Sequence, residues 1–176
     1  MIPPQRNIFL TGFMGAGKST VGRRLAQRLG YCFADLDQLI VAREGRPIAE
    51  IFARQGEDYF RDCEAAVLAE QAETVRTVFA TGGGIVSRDE NRALMKQLGT
   101  VVYLRASWPT IQRRLLRSSG RPLADPQQGR EKIRQLWHGR LPWYEEADLV
   151  IDVDQLNVPE TVRAIIARLG LEESAR

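Results

Sequence analysis

The chain has a single histidine, His138, and two cysteines, Cys32 and Cys63, among its 176 residues. One histidine excludes a multi-histidine metal centre and argues against a Ser-His-Asp triad. Two cysteines without CxxC spacing neither frame a disulfide scaffold nor make a cysteine-held zinc site. Both are expected as reduced, largely buried thiols. Any metal is expected to be a hard ion held by oxygen atoms, as Mg²⁺ is. No apolar run approaches the ~20 residues of a membrane span. The N-terminal MIPPQRNIFLTG lacks the charged-then-apolar pattern of a secretory leader. A cytoplasmic protein with no membrane partner is the expectation.

Lysine is also scarce. Lys18, Lys96 and Lys132 are the only ones, so arginine supplies nearly all of the positive charge behind a net charge of +3. Arginine favours planar, bidentate contact with carboxylates and phosphates. A nucleic-acid partner would call for arginines clustered beside exposed aromatics. These are spread along the whole chain, which points to small anions instead.

The length suits one buried core, and no repeat or long linker divides it. Apolar runs alternate with helical patterns. Strands are expected at Asn7–Thr11, Tyr31–Ala34, Thr77–Thr81, Thr100–Leu104 and Leu149–Ile151. Helical periodicity follows in Val21, Leu25 and Leu29, on either side of Gly45-Arg-Pro47, from about Tyr59 to Glu73, and in Val162, Ile165, Ile166 and Leu169. This alternation predicts an α/β fold of three layers, a mainly parallel sheet covered by helices on both faces. Ligands in such sheets gather at the carboxyl ends of the strands. Three polar or glycine-rich stretches sit there: GFMGAGKS after the first strand, Asp35-Leu-Asp37 after the second and Gly82-Gly-Gly84 after the third. All three are expected to line one crevice.

GFMGAGKS, Gly12 to Ser19, fits a phosphate-gripping loop between a strand and a helix. Unpaired N–H groups and the positive end of the helix dipole favour an anion there. Glycine at 12, 15 and 17 lets the backbone wrap closely. Lys18 is expected to reach the β- and γ-phosphates, and the Ser19 hydroxyl to ligate Mg²⁺. No Asn-Lys dipeptide is present to read guanine. The third strand ends in Thr81 and three glycines rather than in the acidic pair of a motor ATPase. Bare amides at Gly82, Gly83 and Gly84 suit close approach by a ligand.

Taken in order, GFMGAGKST, DLD at Asp35–Asp37, Phe60-Arg61, TGGG at Thr81–Gly84, Arg121-Pro-Leu123 and R-x-P-x-Y at Arg140–Tyr144 resemble the shikimate kinases. These are small P-loop enzymes of the nucleoside-monophosphate-kinase type. The resemblance runs through nearly the whole chain. It implies a single domain over 1–176 with a five-stranded parallel core, a shikimate-binding helical region at about 36–64 and a mobile lid at about 118–130. It implies transfer of the ATP γ-phosphoryl group to the 3-hydroxyl of shikimate, in the route to chorismate and aromatic amino acids.

The resemblance also implies site residues. Asp37 would orient or deprotonate the attacking hydroxyl, with Lys18 and Arg121 as the catalytic cations. Arg61 and Arg140 would hold the shikimate carboxylate, with Gly82, Gly83 and Gly84 against the ring. ATP would lie on Gly15, Ala16, Gly17, Lys18, Ser19 and Thr20, with Arg114, Arg121 and Asn157 around the rest of the nucleotide. One Mg²⁺ per subunit would be held by Ser19, with Asp35 reaching it through water. Glu64, one helical turn from Arg61, could steady that guanidinium. Asp35 and Asp37 could instead cap the following helix. Trp137, Trp143 and Tyr144 read as packing residues. Where the family often has another leucine after Arg-Pro-Leu, this chain has Ala124. A monomer is expected. The rival readings are a related kinase acting on a polyol acid such as gluconate, a silent nucleotide-binding regulator, and a basic nucleic-acid binder.

Overall fold

A computed structural model of the chain describes residues 6–117 and 128–172. Its centre is β1 (Asn7–Thr11), buried at every position. A strand covered on both faces has no solvent side to alternate towards, which is why Ile8-Phe-Leu10 reads as an unbroken apolar run. β1 pairs in parallel with β3 (Thr77–Ala80) on one side and β4 (Gly99–Arg105) on the other. β2 (Cys32–Asp35) lies outside β3, and β5 (Leu149–Asp152) outside β4, so the strand order is β2-β3-β1-β4-β5. Phe9 and Phe79 are register partners whose rings stack at 4.9 Å. The five-stranded parallel sheet is the one expected from the alternation of patterns.

Helix α1 (Lys18–Leu29) buries Val21, Leu25 and Leu29 and stops at Gly30, in the left-handed conformation at φ 65°. It packs against α7 (Val158–Leu169) and the β2–β3 half of the sheet. α2 (Leu36–Glu44) begins directly at the end of β2, and Gly45 ends it. The next helix is longer than its periodicity suggested. α3 runs from Ile48 to Ala69 and bends at Gly56, where φ is 83°. That backbone, open to glycine, joins two helical segments into one bent element. α4 (Asp89–Leu98), α5 (Trp108–Arg117) and α6 (Gln128–Tyr144) complete the set, with a short 3₁₀ turn at Ile85–Ser87. Among the described residues no helix is long and apolar enough to cross a membrane.

One expectation needs correcting. Cys63 is buried, but Cys32 is exposed. Among the described residues β2 is an edge strand with no neighbour beyond it, and its first residue is open to solvent.

Candidate active site

The carboxyl ends of β1, β2 and β3 open into one crevice of about 650 Å³, a size that suits a small-molecule site. The phosphate loop forms one wall. Gly12 leaves β1 at φ 144°, and a Cβ there would sit 2.8 Å from the Leu104 carbonyl oxygen, so only glycine fits. Gly17 caps α1 from the left-handed region at φ 97°. The Lys18 ammonium donates to the Gly12 carbonyl at 2.6 Å and the Phe13 carbonyl at 3.0 Å, which folds it back along the loop. Ala16 is buried, with its N–H on the Phe13 carbonyl at 3.1 Å. Gly15, Gly17, Lys18, Ser19 and Thr20 line the crevice.

Asp35 does two jobs. Its Oδ1 accepts from the Asp37 N–H at 3.1 Å, capping α2, and its Oδ2 accepts from the Ser19 hydroxyl at 2.7 Å. Capping and a metal-side role are therefore compatible in one carboxylate. A hydroxyl and a carboxylate side by side are the oxygen donors that Mg²⁺ takes, with phosphate and water completing its shell. Among the described residues no cluster of three or more His, Cys, Asp or Glu side chains competes for a metal.

The opposite wall is built on the first turn of α2, on α3, the triple glycine and α6. Asp37 and Glu64 converge on Gly82: a Cβ there would lie 2.6 Å from Glu64 Oε1 and 2.9 Å from Asp37 Oδ1. Glu64 is 2% exposed. Burial pushes its carboxyl up from the ordinary value, with Arg61 pulling the other way. Arg61 pairs with Glu64 and, at 3.0 Å, with Glu57 one turn earlier on the same helix. Burial opposes the Arg61 charge, but the two carboxylates outweigh it and raise the guanidinium above its usual value. Arg140, from α6, is 7% exposed and lies over the Phe13 ring at 5.8 Å. Its Nη1 would be 3.7 Å from a Cβ on Gly83.

Asp37, Arg61, Gly82, Gly83, Gly84 and Arg140 all line the same crevice as Lys18. Three assigned residues stand outside its lining: the buried Ala16, Arg114 and Asn157. Arg114 donates through Nη1 to the Gly15 and Ala16 carbonyls, both at 3.0 Å, and so braces the phosphate loop from behind. Asn157 caps α7 in a reciprocal box with Glu160, at 2.9 and 2.8 Å. Arg121 and the stretch expected as a lid, apart from its last three residues, lie outside the described residues. Residues 128–130 are the first turn of α6.

Sequence reasoning underrated one residue. Tyr144 packs in the core as expected, and its hydroxyl also donates to the Gly83 carbonyl. The signal available was its spacing, four residues after Arg140 and so on the same helical face.

A sequence profile described as shikimate kinase matches residues 14–170. The chain belongs to the shikimate kinase family. It is 46% identical over 164 residues to the shikimate kinase of Chromobacterium violaceum, covering 93% of this chain and 89% of that protein. With the shikimate kinase of Thermodesulfovibrio yellowstonii it shares 42% over 161 residues, covering 92% and 93%. Among solved structures, the Acinetobacter baumannii shikimate kinase in complex with shikimate superposes with a TM-score of 0.87 at 39% identity, covering 93% of this chain and 92% of that one. A gluconokinase from Sinorhizobium meliloti aligns with a TM-score of 0.62 at 21% identity, which is a likeness of fold. Five of the six motifs contribute residues to the crevice, and the sixth, Arg121-Pro-Leu123, lies outside the described residues.

Proposed function

We infer that this protein is an ATP-dependent shikimate kinase, which transfers the γ-phosphoryl group of ATP to the 3-hydroxyl of shikimate and yields shikimate 3-phosphate and ADP. The observation that carries the reading is the shared crevice. A phosphate loop forms one wall, and a carboxylate with two guanidinium groups forms the other.

Phosphoryl transfer asks a protein mainly to position two reactants and to stabilise spread charge. Arg61 and Arg140 offer planar forks to the acceptor's carboxylate. With that end of the ring pinned, the bare edge of Gly82–Gly84 admits the ring face. Asp37 accepts the hydrogen bond of the attacking hydroxyl and receives its proton as the bond to phosphorus forms. Lys18 meets the phosphate oxygens, and the loop amides neutralise them from below. Ser19 and Asp35 would hold one Mg²⁺, which when bound neutralises phosphate charge. Arg121, on the strength of the family resemblance, supplies a further cation to the transferring group. Arg114 and Asn157 frame the nucleotide side. We further propose that the enzyme works as a monomer in the cytoplasm, with no nucleic-acid or membrane partner.

The test is direct. Purified protein with Mg-ATP and shikimate should give shikimate 3-phosphate by mass spectrometry, with gluconate in its place giving none. Turnover of gluconate but not shikimate would replace this reading with the related-kinase one.

A further inference from the structure

We propose that Tyr144 is a positioning residue for the acceptor side of the reaction: its hydroxyl holds the Gly83–Gly84 peptide so that the Gly84 N–H is turned into the crevice. The inference rests on the shikimate reading only for what that N–H then meets.

Tyr144 is 1% exposed and lies behind the glycine loop. It does not line the crevice that Gly82, Gly83 and Gly84 line, and it packs instead beside Thr11 and Val86. Its ring stacks on Tyr103, with centroids 5.0 Å apart and planes 16° apart. Tyr103 is the register partner of Thr11, the last residue of β1 before the phosphate loop. The ring is therefore clamped, and its hydroxyl is aimed from a fixed point.

From that point the hydroxyl donates to the Gly83 carbonyl. A trans peptide is planar, with its C=O and N–H pointing in opposite directions. Drawing the Gly83 oxygen back towards Tyr144 therefore sends the Gly84 N–H the other way, and Gly84 lines the crevice whereas Tyr144 does not. Among the described residues that N–H has no acceptor, while the following N–H groups of Ile85 and Ser87 are spent on Gly82 and Gly84 carbonyls. A glycine pair has little intrinsic preference to hold this orientation, so the restraint has to come from outside the loop. Burial also pushes the phenol above its ordinary titration range, against the opposing pull of Arg140, so it remains a donor at neutral pH.

Tyr144→Phe keeps the stacked ring and removes only the hydroxyl. In ¹⁵N-labelled protein without substrate, the variant should shift the Gly84 amide resonance. An unchanged Gly84 signal overturns the inference whatever the enzyme's substrate is. In steady-state kinetics the shikimate KM should rise about tenfold, as expected for one lost hydrogen bond in a positioned site, with the ATP KM within twofold of wild type. Equal losses for both substrates, or a failure to fold, make the hydroxyl merely structural and overturn the inference. Wild-type protein that turns over no shikimate, but shows the Gly84 shift on substitution, rejects the substrate reading and leaves the Tyr144 restraint standing.

Discussion

The guanidinium of Arg61 lies so close to the Gly84 α-carbon that a Cβ added there would clash with it. Gly84 has φ −97° and ψ −4°, a backbone that any residue adopts. What demands glycine at this position is the arginine, not the chain.

Gly84→Ala should therefore push Arg61 off its position without straining the loop. Arg61 is held by Glu64 and Glu57 and has little room to retreat. A displaced binding group can cost up to about 10²-fold, and we expect the shikimate KM to rise at least tenfold with ATP affinity kept. Isothermal titration with each substrate separates the two. Equal weakening of both would show a folding defect instead.

Glu64→Gln should change how stability depends on pH. Burial raises the folded-state titration of Glu64 above its unfolded value of 4.5, with Arg61 opposing. In the window above 4.5 the folded state binds more protons than the unfolded one, so stability from this group falls as pH rises through it. Glutamine has no such proton. The Tm of the variant relative to wild type should therefore climb as pH rises above about 4.5, and should not change below it. A difference independent of pH would mean that Glu64 titrates normally. The same variant weakens the hold on Arg61, and its shikimate KM should rise.

Asp37→Asn preserves shape and removes the base. Its kcat should drop by roughly 10²-fold or more, in the range for general-base loss, while KM for both substrates stays near wild type. Single-turnover quench-flow reads the chemical step. Near-normal turnover would reduce Asp37 to a binding contact.

Asn157 closes a capping box with Glu160 at the start of α7. Asn157→Ala should cost about 1 kcal/mol of stability, the usual loss of an N-cap. It should also raise the ATP KM severalfold, because the turn before α7 loses its anchor. Asn157→Asp should restore both. Chemical denaturation and ATP titration of the pair decide it. An alanine variant with lowered stability and unaltered ATP KM would remove Asn157 from the nucleotide side.

The order of strands and helices, and the place of the phosphate loop, were legible in the chain because their causes are local. Buried parallel strands read as apolar runs, as at Ile8-Phe-Leu10. Gly12, Gly15 and Gly17 mark backbone that other residues resist, each at positive φ. The scarcity of histidine and the weight of arginine narrowed the chemistry to anions held by guanidinium and amide. Other features depended on the strand order β2-β3-β1-β4-β5, which brings distant segments together. Only the folded chain brought Glu64 and Asp37 together against Gly82, set Tyr144 behind Gly83, and laid Arg114 against the phosphate loop. It also left Cys32 in solvent on an edge strand and bent α3 at Gly56. Periodicity says which face of an element is buried, but not which other element buries it. Residues whose role lies in holding another residue can therefore be assigned only when the packing is known.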